Sequence, residues 1–129
     1  MYGEDPHLTA EIAVAMVTGI QGNAEGEATA PGGGPLQAGA CCKHFAVYNN
    51  ENVPEDRTTL DANVSSRDLW ETYLPAMEAC VRRARATHVM CSYNAVNGVP
   101  VCAHAPLLTN VLREGWGFDG FVVLSLIHI

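Results

Sequence analysis

The chain is 129 residues long, 48% hydrophobic and 16% charged, the make-up of one small folded domain rather than a disordered segment. Fourteen acidic against seven basic side chains give a formal net charge of -7, which repels phosphate backbones and anionic headgroups, so neither nucleic acid nor a membrane is expected as a partner. No run approaches the roughly 20 apolar residues of a membrane span, and Met1 is followed by Tyr-Gly-Glu-Asp-Pro rather than by a basic and then apolar signal sequence.

Asp5-Pro6 opens the first expected helix, an N-cap followed by a proline at the first helical position, with Leu8, Ile12, Met16 and Ile20 as its apolar face and an end near Gly22. Residues 22–35 hold five Gly and two Pro and read as a surface loop without a packed face. No G-K-[ST] and no G-x-G-x-x-G accompanies the glycines, so a phosphate cradle is not expected. Residues 38–45 are small and apolar, ending in Lys43-His44, and read as a buried strand followed by a polar loop over 49–59.

Ser65 caps the next expected helix with Asp68 as its capping-box partner; Leu69, Tyr73, Met77 and Cys80 form its face, and Pro75 bends it. Arg82, Arg83 and Arg85 fall at its C-terminal end, where cations suit the helix dipole, and read as a solvated end rather than a binding patch. A second strand is expected over 87–93, a turn at Asn97-Gly98-Val99-Pro100, a third helix over 106–114 and a third strand from Gly120 to Val123. Helix, strand, helix, strand, helix, strand is the order of an α/β fold, with parallel strands joined by crossover helices.

The five cysteines, Cys41, Cys42, Cys80, Cys91 and Cys102, contain no C-x-x-C pair, so a structural zinc site has little support. Cys91 and Cys102 flank a Pro/Gly-rich turn and are the candidate disulfide; buried free thiols are the alternative. His7, His88, His104 and His128 lack ligand spacing, and Trp70 and Trp116 are expected to pack rather than to stack on a ligand.

In a parallel α/β barrel functional groups project from the C-terminal ends of the strands, and Lys43-His44 and Met90-Cys91-Ser92-Tyr93 both fall at such ends. GEDP (Gly3 to Pro6), KHF followed by YNNE (Lys43 to Glu51), VMCSYNAVNGVPVC (Val89 to Cys102) and LREGWGFDGFVV (Leu112 to Val123) resemble, in order and spacing, the N-terminal domain of glycoside hydrolase family 3. The resemblance implies an α/β fold that is part of a (β/α)8 TIM-type barrel, incomplete at both ends, with residues 1–123 as a partial barrel domain. It implies a parent protein that removes terminal β-xylosyl or β-glucosyl residues with retention of configuration, acts on an oligosaccharide or an aryl or alkyl β-glycoside, and uses no cofactor or metal. Extracellular or secretory-pathway placement is expected for such a parent. By the same resemblance Lys43, His44 and Tyr93 bind or border the sugar, Met90 lies in the same wall, and Arg57 supports the site. A lysine with three donors and a neutral imidazole that both donates and accepts suit sugar hydroxyls.

The family continues after the third strand as Val-Val-Ser-Asp, the Asp being its nucleophile, whereas this chain reads Val122-Val123-Leu124-Ser125-Leu126. Residues 124–129 are therefore expected to be foreign to the family, and the chain to be inactive without the nucleophile or the acid/base residue of the family's second domain. The family's Arg-containing motif before GEDP and an upstream sugar-binding Asp are missing too. A retaining glycosidase needs two carboxyl groups about 5–5.5 Å apart, and a barrel of about 250 residues is only half represented, with uncovered edges that favour aggregation. Two other functions compete: a non-catalytic sugar-binding relative with Leu126 genuinely at the nucleophile position, and a metal site of Cys41, Cys42, His44 and Cys91, which explains none of the four motifs.

Overall fold

The structure is a computed structural model that describes residues 3–30, 32–52 and 55–124. Its first element is helix α1, Pro6–Gln21. Asp5 Oδ1 accepts from the backbone N–H groups of His7 and Leu8 at 2.8 and 3.1 Å, satisfying donors that the first turn leaves unpaired. Gly22, at φ 71°, ends the helix in the left-handed conformation.

The buried face of α1 is not the expected one. Ala10, Val14, Val17 and Gln21 face inward, while Leu8, Met16 and Ile20 are about half exposed. Small residues on that face let α1 approach helix α3 (Pro75–Arg82) closely, through Ala76 and Ala79. Gln21 is fully buried because its side-chain amide serves four backbone groups: Nε2 donates to the carbonyls of Ala84 and Arg85, and Oε1 accepts from the N–H groups of Ala40 and Thr87.

Three strands follow the expected order, β1 (Cys41–Phe45), β3 (His88–Cys91) and β6 (Phe121–Val123), and form a parallel sheet with β3 in the middle. Gly120 sets how closely β6 meets β3, since a Cβ there would lie 2.1 Å from the Thr87 carbonyl oxygen. A second small sheet, unforeseen because its strands have two residues each, contains β2 (Asp61–Ala62), β4 (Ala95–Val96) and β5 (Val99–Pro100). The expected turn joins β4 to β5, with Asn97 and Gly98 at φ 50° and 85°.

Ser65 does cap a helix: its Oγ accepts from Asp68 N at 3.0 Å. Helix α2 (Ser66–Asp68) runs into a π-helical stretch, Leu69–Tyr73, and then α3. Pro75 has no N–H to donate and crowds the turn before it, and that turn widens so that Leu74 N–H donates to Leu69 O at 3.0 Å. The extra residue rotates the face, burying Leu74, Ala79, Cys80 and Val81 where Leu69, Tyr73 and Met77 were expected to be innermost. Arg83 is not a simple solvated end either, because it pairs with Glu11 of α1 and with Glu25 of the glycine-rich loop. That loop remains at the surface, except that Asn23 is buried and donates to Glu27 O and Ala84 O.

Helix α4, Pro106–Gly115, is wound with wider turns than an α-helix and buries Leu107 and Leu112. With Phe45, Leu74, Val89, Val101, Trp116 and Phe118 these form the main core, while Ala10, Val14, Val17, Cys42, Cys80 and Ala84 fill a second layer between β1 and the helices α1 and α3. Trp116 packs as expected, and Trp70 does not, being about half exposed. Cys91 and Cys102 form a disulfide with Cα atoms 5.4 Å apart. No helix among the described residues is long and apolar enough to cross a membrane.

Candidate functional site

The site lies where β1 and β3 end side by side. Lys43 pairs in register with Met90, and Met90 with Val123, so the three side chains share one face of the sheet, opposite the core-facing Cys42 and Val89. The register slips after Lys43: Phe45, not His44, is opposite Cys91. His44 is thus the extra residue of a bulge, released from the ladder at the strand's functional end. The peptide bonds Lys43–His44 and Phe45–Ala46 are cis.

Two buried side chains fix the chain beyond this bulge. Ser92 Oγ donates to Ala46 O at 3.0 Å, and Asn94 Nδ2 donates to Ala46 O and Val47 O at 3.4 and 3.3 Å. Ser92 N–H also donates to Phe45 O at 2.7 Å. The end of β1 is therefore held by the end of β3, and the disulfide at Cys91 ties that second end to the turn Val101–Ala103.

Over this base the aromatic and charged groups converge. The rings of His44 and Tyr48 are 4.7 Å apart, and Tyr48 OH donates to Glu51 Oε1 at 3.3 Å. Tyr48 beside Arg57 raises the pKa of Arg57 further, and the Arg57 guanidinium lies 5.6 Å from the centre of the Tyr93 ring. Arg57 thereby spans from the β1 loop to the residue after β3. Lys43 makes no hydrogen bond or ion pair among the described residues, leaving its donors open to a ligand. Burial pushes the His44 pKa below its ordinary value, Lys43 and Arg57 push the same way, and Glu51 opposes them. A neutral imidazole results, able to donate from one nitrogen and accept at the other.

The five residues expected at the site, Lys43, His44, Met90, Arg57 and Tyr93, all fall on this end of the sheet, with His44 against Tyr48 and Arg57 over Tyr93. Tyr48 and Glu51 were not singled out, although both stand in the YNNE motif, where a tyrosine three residues before a carboxylate after a strand end was a usable signal. Ser92 and Asn94 were missed for a different reason: their partners are carbonyls 46–48 positions away, which no local pattern reveals. The metal set of Cys41, Cys42, His44 and Cys91 does not assemble, because Cys91 is oxidised in the disulfide and Cys42 faces the opposite side of the sheet from Lys43. Leu126, which a one-residue slip would put at the place of the family's nucleophile, and the rest of 125–129 lie outside the described residues.

The model of the glycosyl hydrolase family 3 N-terminal domain matches residues 1–127. The chain belongs to glycosyl hydrolase family 3. It is 44% identical over 122 residues to the probable beta-D-xylosidase 7 of Arabidopsis thaliana, covering 93% of this chain and 16% of that protein. Among solved structures, a family 3 exo-beta-xylosidase, XlnD, in complex with a xylobiose aziridine probe superposes with a TM-score of 0.86 at 35% identity, covering 95% of this chain and 16% of that one. DesR, a beta-glucosidase from Streptomyces venezuelae in complex with D-glucose, superposes with a TM-score of 0.79 at 40% identity, covering 96% and 14%. The family 3 chain thus spans about one-sixth of the length of these relatives, and its parallel sheet and helices are a section of the family's (β/α)8 barrel.

Proposed function

We propose that this chain supplies part of the sugar subsite of a retaining exo-glycosidase that removes terminal β-xylosyl residues, with β-glucosyl residues as the second substrate class. The observation that carries the reading is the convergence of Lys43, His44, Arg57 and Tyr93 at the C-terminal ends of adjacent parallel strands. Lys43 and neutral His44 bind sugar hydroxyls, and Arg57 holds Tyr48 and Tyr93 as the wall beside them. The xylosidase and glucosidase names of the relatives support both substrates. The two sugars differ by one hydroxymethyl group, a difference that a pocket separates only modestly.

Retention requires an attacking carboxylate and a second carboxyl group that protonates the departing oxygen. Among the described residues Glu51 is the carboxylate close to His44 and Arg57, and it is already engaged by Tyr48. One carboxylate so held cannot do both jobs, so the chemistry is assigned to groups beyond those described. A second reading, sugar binding without turnover, is favoured by one observation, that Leu124-Ser125-Leu126 and no Asp follow Val123.

Reading the source transcript outward from the codons for Trp116 to Val123 separates the two. Ser-Asp directly after Val123 supports the hydrolase, and the encoded protein is then expected to release p-nitrophenol from the β-xyloside with retained configuration, with Lys43→Ala raising KM. Leu-Ser-Leu-Ile in independent clones, with sugar binding but no release, overturns hydrolysis in favour of binding alone.

A further inference from the structure

Of the chain's asparagines only Asn63 is followed two residues later by Ser or Thr, in the triplet Asn63-Val64-Ser65, and the middle residue is not proline. Such a triplet is a common accident of composition, so its setting decides what it can do. It forms the loop between β2 and α2. Val64 turns inward against the main core, and both its backbone groups are held by one side chain: Val64 N–H donates to Asn97 Oδ1 at 2.9 Å, and Asn97 Nδ2 donates to Val64 O at 3.1 Å. With the middle residue anchored inward, Asn63 and Ser65 on either side of it are exposed. The Asn63 amide makes no hydrogen bond among the described residues, so nothing in the fold competes for it. The Cys91–Cys102 disulfide is a second, independent observation: structural disulfides form and persist in oxidising compartments, and the eukaryotic secretory lumen is the one that also glycosylates asparagine.

We propose that Asn63 is an N-glycosylation site, modified as the parent protein passes through a eukaryotic secretory pathway. The co-substrate is an oligosaccharide joined through its reducing-end N-acetylglucosamine to a lipid pyrophosphate. The Asn63 side-chain nitrogen bonds to the anomeric carbon of that sugar. The bond from the same carbon to the phosphate oxygen breaks, its electron pair leaves on the lipid pyrophosphate, and one proton leaves the amide. Ser65 supplies the hydroxyl of the triplet, and in the folded chain that hydroxyl is engaged at both ends, accepting from Asp68 N–H at 3.0 Å and donating to Asp68 Oδ2 at 2.7 Å. Transfer therefore precedes the closing of α2 on its cap, and folding then fixes the glycan on the anchored loop. The attachment point follows β2, and β2 pairs with β4, which begins directly after Tyr93 and Asn94. The glycan thus stands on the rim of the candidate site, and the modification holds whether or not that site binds or cleaves sugar.

The deciding measurement is made on the native protein isolated from its source. Trypsin cuts after Arg57 and Arg67 and releases Thr58 to Arg67, a peptide in which Asn63 is the single asparagine. The digest is mapped by mass spectrometry before and after N-glycosidase treatment in heavy-oxygen water. Before treatment the peptide is expected to be missing at its unmodified mass, and after treatment to appear with a heavy-oxygen aspartate at position 63. Recovery of the peptide mainly with Asn63 unmodified overturns the proposal. The assignment to Asn63 is checked by cell-free translation of the 129-residue chain behind a cleavable leader, with endoplasmic-reticulum microsomes present. Transfer takes place on the extended chain, so this readout does not require the product to fold. A gel shift reversed by N-glycosidase is expected, lost in Asn63→Gln and in Ser65→Ala and kept in Ser65→Thr. A leader-cleaved, protease-protected chain without the shift overturns the proposal, as does a shift that survives Asn63→Gln.

Discussion

His44 is where sequence, local structure and electrostatics meet in one side chain. The bulge frees it from the strand ladder, Tyr48 partly covers it, and Lys43 and Arg57 disfavour its proton while Glu51 favours it. Its titration by NMR of the imidazole is expected to centre below the ordinary 6.5 for histidine. Lys43→Met should move the midpoint up by removing a like charge, and Glu51→Gln should move it further down by removing an opposite one. Because the folded value lies below the unfolded one, the unfolded chain binds the extra proton first as pH falls. His44 should thus lower stability as pH drops from above its unfolded value through its folded one, and His44→Gln should flatten that part of a stability-against-pH curve. A midpoint at or above 6.5 would show that the enclosure by Tyr48 and Lys43 does not exist in solution.

Elements were legible in the sequence where their signals were local. Asp5-Pro6 marks the start of α1, Gly22 its end, Ser65 and Asp68 the cap of α2, and Asn97-Gly98 the hairpin turn, because each acts through hydrogen bonds or dihedrals within a few residues. Faces were less legible, since they depend on what packs opposite. The stripe of Leu8, Met16 and Ile20 is apolar and helical in spacing, yet the neighbours of α1 lie on its Ala10, Val14 and Val17 side. Gln21 reads as polar surface until the four backbone groups it serves come together. The site was legible through Lys43, His44 and Tyr93 at strand ends, while Ser92 and Asn94 needed the tertiary structure to show their partners.

Strand pairing offers a sharp test at this same scale. Gly120 leads into β6, and Phe121 N–H donates to Thr87 O at 3.0 Å. Adding a methyl group at Gly120 places carbon 2.1 Å from that oxygen, which is backbone and cannot rotate away. Gly120→Ala is therefore expected to lift the start of β6 from β3, at a cost of roughly 1–3 kcal/mol, the range for overfilling a packed position, and to speed hydrogen exchange of the Phe121 amide that bonds to Thr87 O. Unchanged exchange would mean that β6 does not meet β3 in this register.

The whole molecule carries more apolar surface than its two cores absorb. Leu8, Met16 and Ile20 lie open on α1, and Phe121 is 70% exposed, with Val123 and Leu124 also uncovered on and just beyond the edge strand β6. Among the described residues β3 alone of the three parallel strands is paired on both sides, so there the main sheet offers unpaired backbone along β1 and along β6. Exposed edges and apolar side chains together are the conditions under which sheets pair with other copies, and a net charge of -7 opposes but does not cover them. The isolated 129-residue chain is expected to bind a hydrophobic dye and to self-associate with rising concentration, without a sharp two-state thermal transition. Phe121→Lys puts charge on the β6 edge and Ile20→Lys puts it on the open face of α1, each without touching either core. The double substitution is expected to shift sedimentation-velocity profiles toward the monomer. A substituted chain that still assembles as readily as the original would place the contacts elsewhere, and a monomeric original with a sharp transition would show that these surfaces are satisfied within the chain itself.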